Sequence, residues 1–108
     1  MKKAAANQIL SHLAKHQDEM VKLLSASACI ESPSADPASQ APVLNLFQSE
    51  LESMGFRCRR YHGMESGGQL LAMPPSVNPH THRQLLLGHC DTVWPTGTLA
   101  KMPVESRQ

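Results

Sequence analysis

From about residue 5 to residue 27 apolar side chains recur at helical spacing. Ile9, Leu13, Met20, Leu23 and Leu24 share a stripe with His16, while Gln17, Asp18, Glu19 and Lys22 are polar. This predicts an amphipathic helix with one buried face. Residues 29–36 read as a turn-rich loop, and Asp36 before Pro37 combines an N-cap carboxylate with a proline at the first helical position. A second helix is therefore predicted over roughly residues 37–54. Val43, Phe47, Leu51 and Met54, with Leu44 beside them, form its apolar stripe, and Gly55 stands where a left-handed residue ends a helix.

After Gly55 the period shortens to two. Phe56, Cys58 and Arg60 alternate with Arg57, Arg59 and Tyr61, which predicts a half-exposed strand near an edge. Residues 63–68 read as a hairpin loop, and residues 69–73 as a returning strand stopped by Pro74 and Pro75. A polar loop follows over residues 76–82. The run Gln84-Leu85-Leu86-Leu87-Gly88-His89-Cys90 predicts a strand buried on both faces, as in the middle of an α/β sheet. The tail from Thr92, with Pro95, Gly97 and Pro103, reads as irregular. The expected fold class is therefore α/β, with two N-terminal helices and three or more strands.

Composition narrows the function classes. Ten Lys and Arg against nine Asp and Glu leave a net charge of +1, so no electrostatic excess draws the chain to nucleic acid or anionic lipid. No stretch approaches the roughly 18 consecutive apolar residues of a membrane span. With 108 residues, 41% of them hydrophobic but only 4% aromatic, the chain makes at most one small domain with a modest core. Cys29, Cys58 and Cys90 are an odd number with wide spacing, which fits free thiols in a reducing compartment better than a disulfide scaffold. The basic start Met1-Lys2-Lys3 runs into Asn7, Gln8, Ser11, His12 and Lys15 rather than an apolar signal segment, so a cytoplasmic protein is expected.

Chemistry concentrates in Leu87-Gly88-His89-Cys90-Asp91-Thr92-Val93. On a strand, His89 and Asp91 project to one side and Cys90 to the other. A metal-bound His gives its second ring N–H to a carboxylate, so Asp91 is placed to orient His89 as a ligand. A buried histidine with one ordinary hydrogen bond satisfies the same short pattern. His12 and His16 have a chelating spacing but read as surface or boundary residues, and His80 and His82 read as exposed loop residues. Cys90 reads as a small buried hydrophobe, Arg57, Arg59 and Arg60 as a solvated strand face, and Trp94 as packing over the strand end.

The stretch L-L-L-G-H-C-D-T-V-W-P-T-G-T-L-A-K-M-P, residues 85–103, resembles the first metal-site motif of the M20 zinc metallopeptidases. It is most similar to the glutamate carboxypeptidase branch, in which H-x-D-T-V is followed by a proline, a G-T-L and a proline. Ile30-Glu31-Ser32-Pro33-Ser34-Ala35-Asp36 and Leu51-Glu52-Ser53-Met54-Gly55-Phe56 stand in the family's order and spacing. The resemblance implies a metallopeptidase, a hydrolase that cleaves amide bonds of a peptide or N-acyl amino acid with two Zn2+ ions. His89 corresponds to a ligand of one zinc and Asp91 to the catalytic carboxylate that holds its ring.

The resemblance further implies an α/β catalytic domain into which a smaller dimerisation domain is inserted later, and a homodimer. That family's bridging aspartate in a Gly-rich D-x-K-x-G segment, its Glu-Glu pair, its further acidic ligand and its distal histidine have no counterparts before Gln108. Residues 1–108 are accordingly expected to be the N-terminal portion of the catalytic domain, inactive by themselves. The alternative is a truncated, non-catalytic module acting through partner binding or self-association.

Overall fold

A computed structural model describes residues 2–107. Its elements are helices α1 (Lys2–Lys15), α2 (Gln17–Ala28) and α3 (Ala41–Ser53), strands β1 (Arg57–Tyr61) and β2 (Gln69–Met73), and single 3-10 turns at Pro37–Gln40 and Thr98–Ala100. The mixed helix-and-strand class is as expected. The break in the first helix, the start of the second and one strand differ from expectation.

The single helix expected over residues 5–27 is two helices meeting at His16. There the backbone N–H reaches the Leu13 carbonyl at 3.1 Å instead of the carbonyl one residue earlier, which tightens the last turn of α1. The His16 carbonyl then accepts the Met20 N–H at 3.0 Å and starts α2. The expected buried face is also absent: neither helix has a buried residue among those described, and Ile9, Leu13, Met20 and Leu24 are exposed.

The second helix starts later than expected. Pro42 has no N–H to give the carbonyl four residues back, so a continuous α-helix from Pro37 cannot form and a 3-10 turn precedes α3. The Asp36 carboxylate makes no capping bond; its carbonyl instead accepts the Ser39 hydroxyl at 2.7 Å. The apolar stripe of α3 does supply the core, with Val43 1% exposed and Leu44 also buried. Gly55 ends the helix region at φ +88°, as its position predicts.

β1 and β2 form an antiparallel hairpin in the register Arg57↔Met73 to Tyr61↔Gln69. Cys58, Arg60, Leu70 and Ala72 are half-buried on one face, and their alternate neighbours are exposed. Arg60 Nη1 donates to Asn45 Oδ1 on α3 at 2.8 Å, so α3 covers the half-buried face. The hairpin loop is tied back by the buried Gln40, whose Oε1 accepts the Gly67 N–H at 2.8 Å while its Nε2 donates to the Pro33 carbonyl at 3.2 Å. A β-carbon on Gly67 would lie 2.5 Å from Gln40 Cβ, so this approach requires glycine.

The third strand expected over residues 84–90 does not form. Among the described residues the sheet has two strands, and Leu85, Leu86 and Leu87 are exposed, Leu86 by 94%. A strand that is apolar on both faces needs cover on both and partners along its edges. One hairpin backed by one helix provides neither. The same deficit shows globally: the Cα radius of gyration is 16.8 Å, against about 13 Å for a compact domain of this length. The accessible surface is 9422 Å², against about 5,900 Å² for a compact monomer of this mass. Among the described residues no helix is long and apolar enough to cross a membrane.

Candidate functional site

The chain at residues 90–99 is held against residues 31–34 by a polar seam. Pro33 and Thr92 form a parallel bridge, in which Thr92 N–H donates to the Ser32 carbonyl at 2.9 Å and Ser34 N–H to the Thr92 carbonyl at 2.8 Å. Ser32, 1% exposed, donates its hydroxyl to the Cys90 carbonyl at 2.8 Å. Two backbone bonds and one buried hydroxyl thus fix residues 90–92 on the loop that leaves α2.

That seam positions the pair singled out in the sequence. Ser34 Oγ donates to Asp91 Oδ2 at 2.6 Å, and Asp91 Oδ1 faces His89 Nδ1 at 3.2 Å. The Asp91 carbonyl is also 3.2 Å from that nitrogen. A carboxylate and a carbonyl can only accept, so Nδ1 carries the hydrogen and Nε2 of the neutral ring keeps its lone pair. The His89 side chain is 84% exposed, leaving Nε2 open to a ligand. The Ser34 hydroxyl, above all, holds the Asp91 carboxyl below its usual 3.8; its own backbone N–H and His89 act in the same direction, and partial desolvation opposes them.

His89 and Asp91 are therefore brought together as expected, but on an exposed extended segment rather than at the end of a buried strand. Cys90 between them is half-buried, and its thiol is pushed up first by burial and then by the Asp91 charge. An open cleft of about 510 Å³, walled by Leu44, Phe47, Leu51, Leu70 and Leu87, is lined by His89, Cys90 and Asp91 as well. No family model matches the chain, and no curated protein or solved structure matches it.

A catalytic zinc takes three protein ligands. His89, with its ring held from behind by Asp91, has the chemistry of one of them. Among the described residues no group of three His, Cys, Asp or Glu side chains is close enough to hold a metal, and His80 and His82 do not join His89. The donor set is thus not complete within these residues.

Glu31 is a structural carboxylate the sequence reading passed over. Its oxygens accept the Gly97 N–H and the Leu99 N–H, each at 2.9 Å, and fasten the turn at Thr98–Ala100 to the same loop. Those two backbone bonds, Gly97 first, hold its carboxyl below the usual 4.5. The local signal was the Pro95–Gly97 turn with its unpaired amides; the partner lies 66 residues away and leaves no trace in the pattern.

Proposed function

We propose that these residues are the N-terminal part of the catalytic α/β domain of a di-zinc, M20-like cytoplasmic hydrolase that cleaves amide bonds. Its substrate class is a peptide or N-acyl amino acid, as for a glutamate carboxypeptidase-like exopeptidase or an N-acyl-amino-acid amidohydrolase, and the complete enzyme is a homodimer. The observation that carries the reading is the His89 Nδ1 to Asp91 Oδ1 contact at 3.2 Å, which leaves Nε2 exposed beside an apolar cleft. His89 supplies one zinc ligand, and Asp91 holds the ring and its tautomer. Zinc, when bound, polarises the scissile carbonyl and lowers the pKa of a bound water. Ser34 stabilises the charged form of Asp91, and residues 1–108 by themselves are expected not to turn over substrate.

The test is the reading frame downstream of the codon for Gln108. A Gly-rich D-x-K-x-G segment, a Glu-Glu pair and a distal His are expected there; an immediate stop overturns the enzyme reading. In the enzyme so defined, His89→Ala is expected to empty one zinc position. Asp91→Ala is expected to cut turnover more than zinc content, and full activity in either variant refutes the assigned role.

A second reading is favoured by the surface excess, 9422 Å² against about 5,900 Å² for a compact monomer. On that reading the chain is a non-catalytic module that buries the Leu85–87 run and the α1–α2 faces by self-association. Sedimentation of the 108-residue chain tests this reading: a concentration-dependent oligomer is expected, and a monomer at all concentrations removes self-association.

A further inference from the structure

A second imidazole–carboxylate arrangement sits where α1 hands over to α2. His12 and His16 are one helical turn apart on the same edge, and their ring centres are 4.5 Å apart with planes inclined at 43°. His16 Nδ1 lies 3.0 Å from Glu19 Oε2. The carboxylate only accepts, so Nδ1 carries the hydrogen and Nε2 is left with its lone pair. This is the same division of labour between ring nitrogens as at His89, with the carboxylate one turn on instead of two residues on.

Ring centres 4.5 Å apart put both imidazoles within reach of one ion, and among divalent first-row ions imidazole donors hold Cu2+ and Ni2+ tightly. Lys15 shares a shallow hollow with His12, Gln8 and Ser11. We infer that His12 and His16 form a two-imidazole site for Cu2+ or Ni2+, with Glu19 as the residue that positions the His16 ring. Among the described residues no third His, Cys, Asp or Glu joins them, so water fills the remaining positions. The site is independent of the role proposed for His89.

Calorimetric titration of the 108-residue chain with Ni2+ tests it. One ion per chain is expected, with binding weakened on the order of a hundredfold in His12→Ala or His16→Ala, the factor that linking two weak arms contributes. Glu19→Gln is expected to weaken it about tenfold; unchanged binding there overturns the positioning role. His89→Ala and the double variant His80→Ala/His82→Ala are expected to bind as the parent does. Undiminished affinity without His12 or His16, or loss in the double variant, overturns the site. Should the helix variants unfold, substoichiometric Cu2+ added to the parent chain decides by proton NMR. Ring signals of His12 and His16 are expected to broaden before those of His62, His80, His82 and His89, and broadening that starts at any of those four refutes the assignment.

Discussion

Two adjacent stretches of the chain behave in opposite ways. Residues 85–87, a run of three leucines, lie exposed and unpaired, whereas residues 90–92, just beyond Gly88 and His89, are held by bonds that span 57 to 60 residues of chain. Hydrophobicity supplies a drive to be covered but no address. Directional bonds from Ser32, Ser34 and the backbone supply the address, and they are what brings His89 and Asp91 into contact. The candidate site is therefore formed by the seam and not by the strand that leads into it.

Breaking the seam should have the largest effect. Ser32→Ala leaves the Cys90 carbonyl without its buried donor and is expected to cost about 1–3 kcal/mol, read as a fall in the urea midpoint. Acid acts next. The Glu31 and Asp91 carboxyls are both depressed in the folded chain, so their stabilisation is fully present above the ordinary values of 4.5 and 3.8 and is lost as pH falls through their lower folded values. The protection of the Gly97 and Leu99 amides against hydrogen exchange, relative to the intrinsic rate at each pH, should fall in that window, and Glu31→Gln should make that fall far smaller.

Thiol reactivity sharpens the contrast without breaking it. Cys29 is exposed and should be alkylated by iodoacetamide before Cys90, whose thiol is pushed up by burial and by the Asp91 charge. Equal rates at the two would show that the seam opens freely. The smallest effect is expected in the leucine run: Leu86→Lys should change the unfolding free energy by no more than about 0.5 kcal/mol, since that side chain touches little. A loss well above that figure in a monomeric sample would mean the run is packed after all.

Local signals were legible and distant ones were not. The period of two with Gly63–Gly68 and Pro74 around it fixed both strands of the hairpin, because a hairpin is made of neighbours in sequence. Val43 and Leu44 were readable as core from the α3 stripe. The later start of α3 is signalled by Pro42, which competes with the N-terminal signal at Asp36 and Pro37 from which the earlier start is predicted. The break at His16 has no proline or glycine to mark it. The run at residues 84–90 was readable as apolar, but whether it pairs depends on elements that pattern alone does not place. The adjacency of His89 and Asp91 was legible from their spacing; the Ser34 and Ser32 bonds that hold it, and the Glu31 carboxylate beside it, join residues too far apart to be read.

The tautomer of His89 tests the account most directly, because everything assigned to that residue requires its Nε2 to be free. Long-range 1H–15N correlation of the neutral ring in the 108-residue chain reads it. The geometry gives a protonated Nδ1 and a bare Nε2, with the preference weakened in Asp91→Ala, where only the backbone carbonyl of residue 91 still faces Nδ1. A ring protonated at Nε2 in the parent chain would contradict the proposed role.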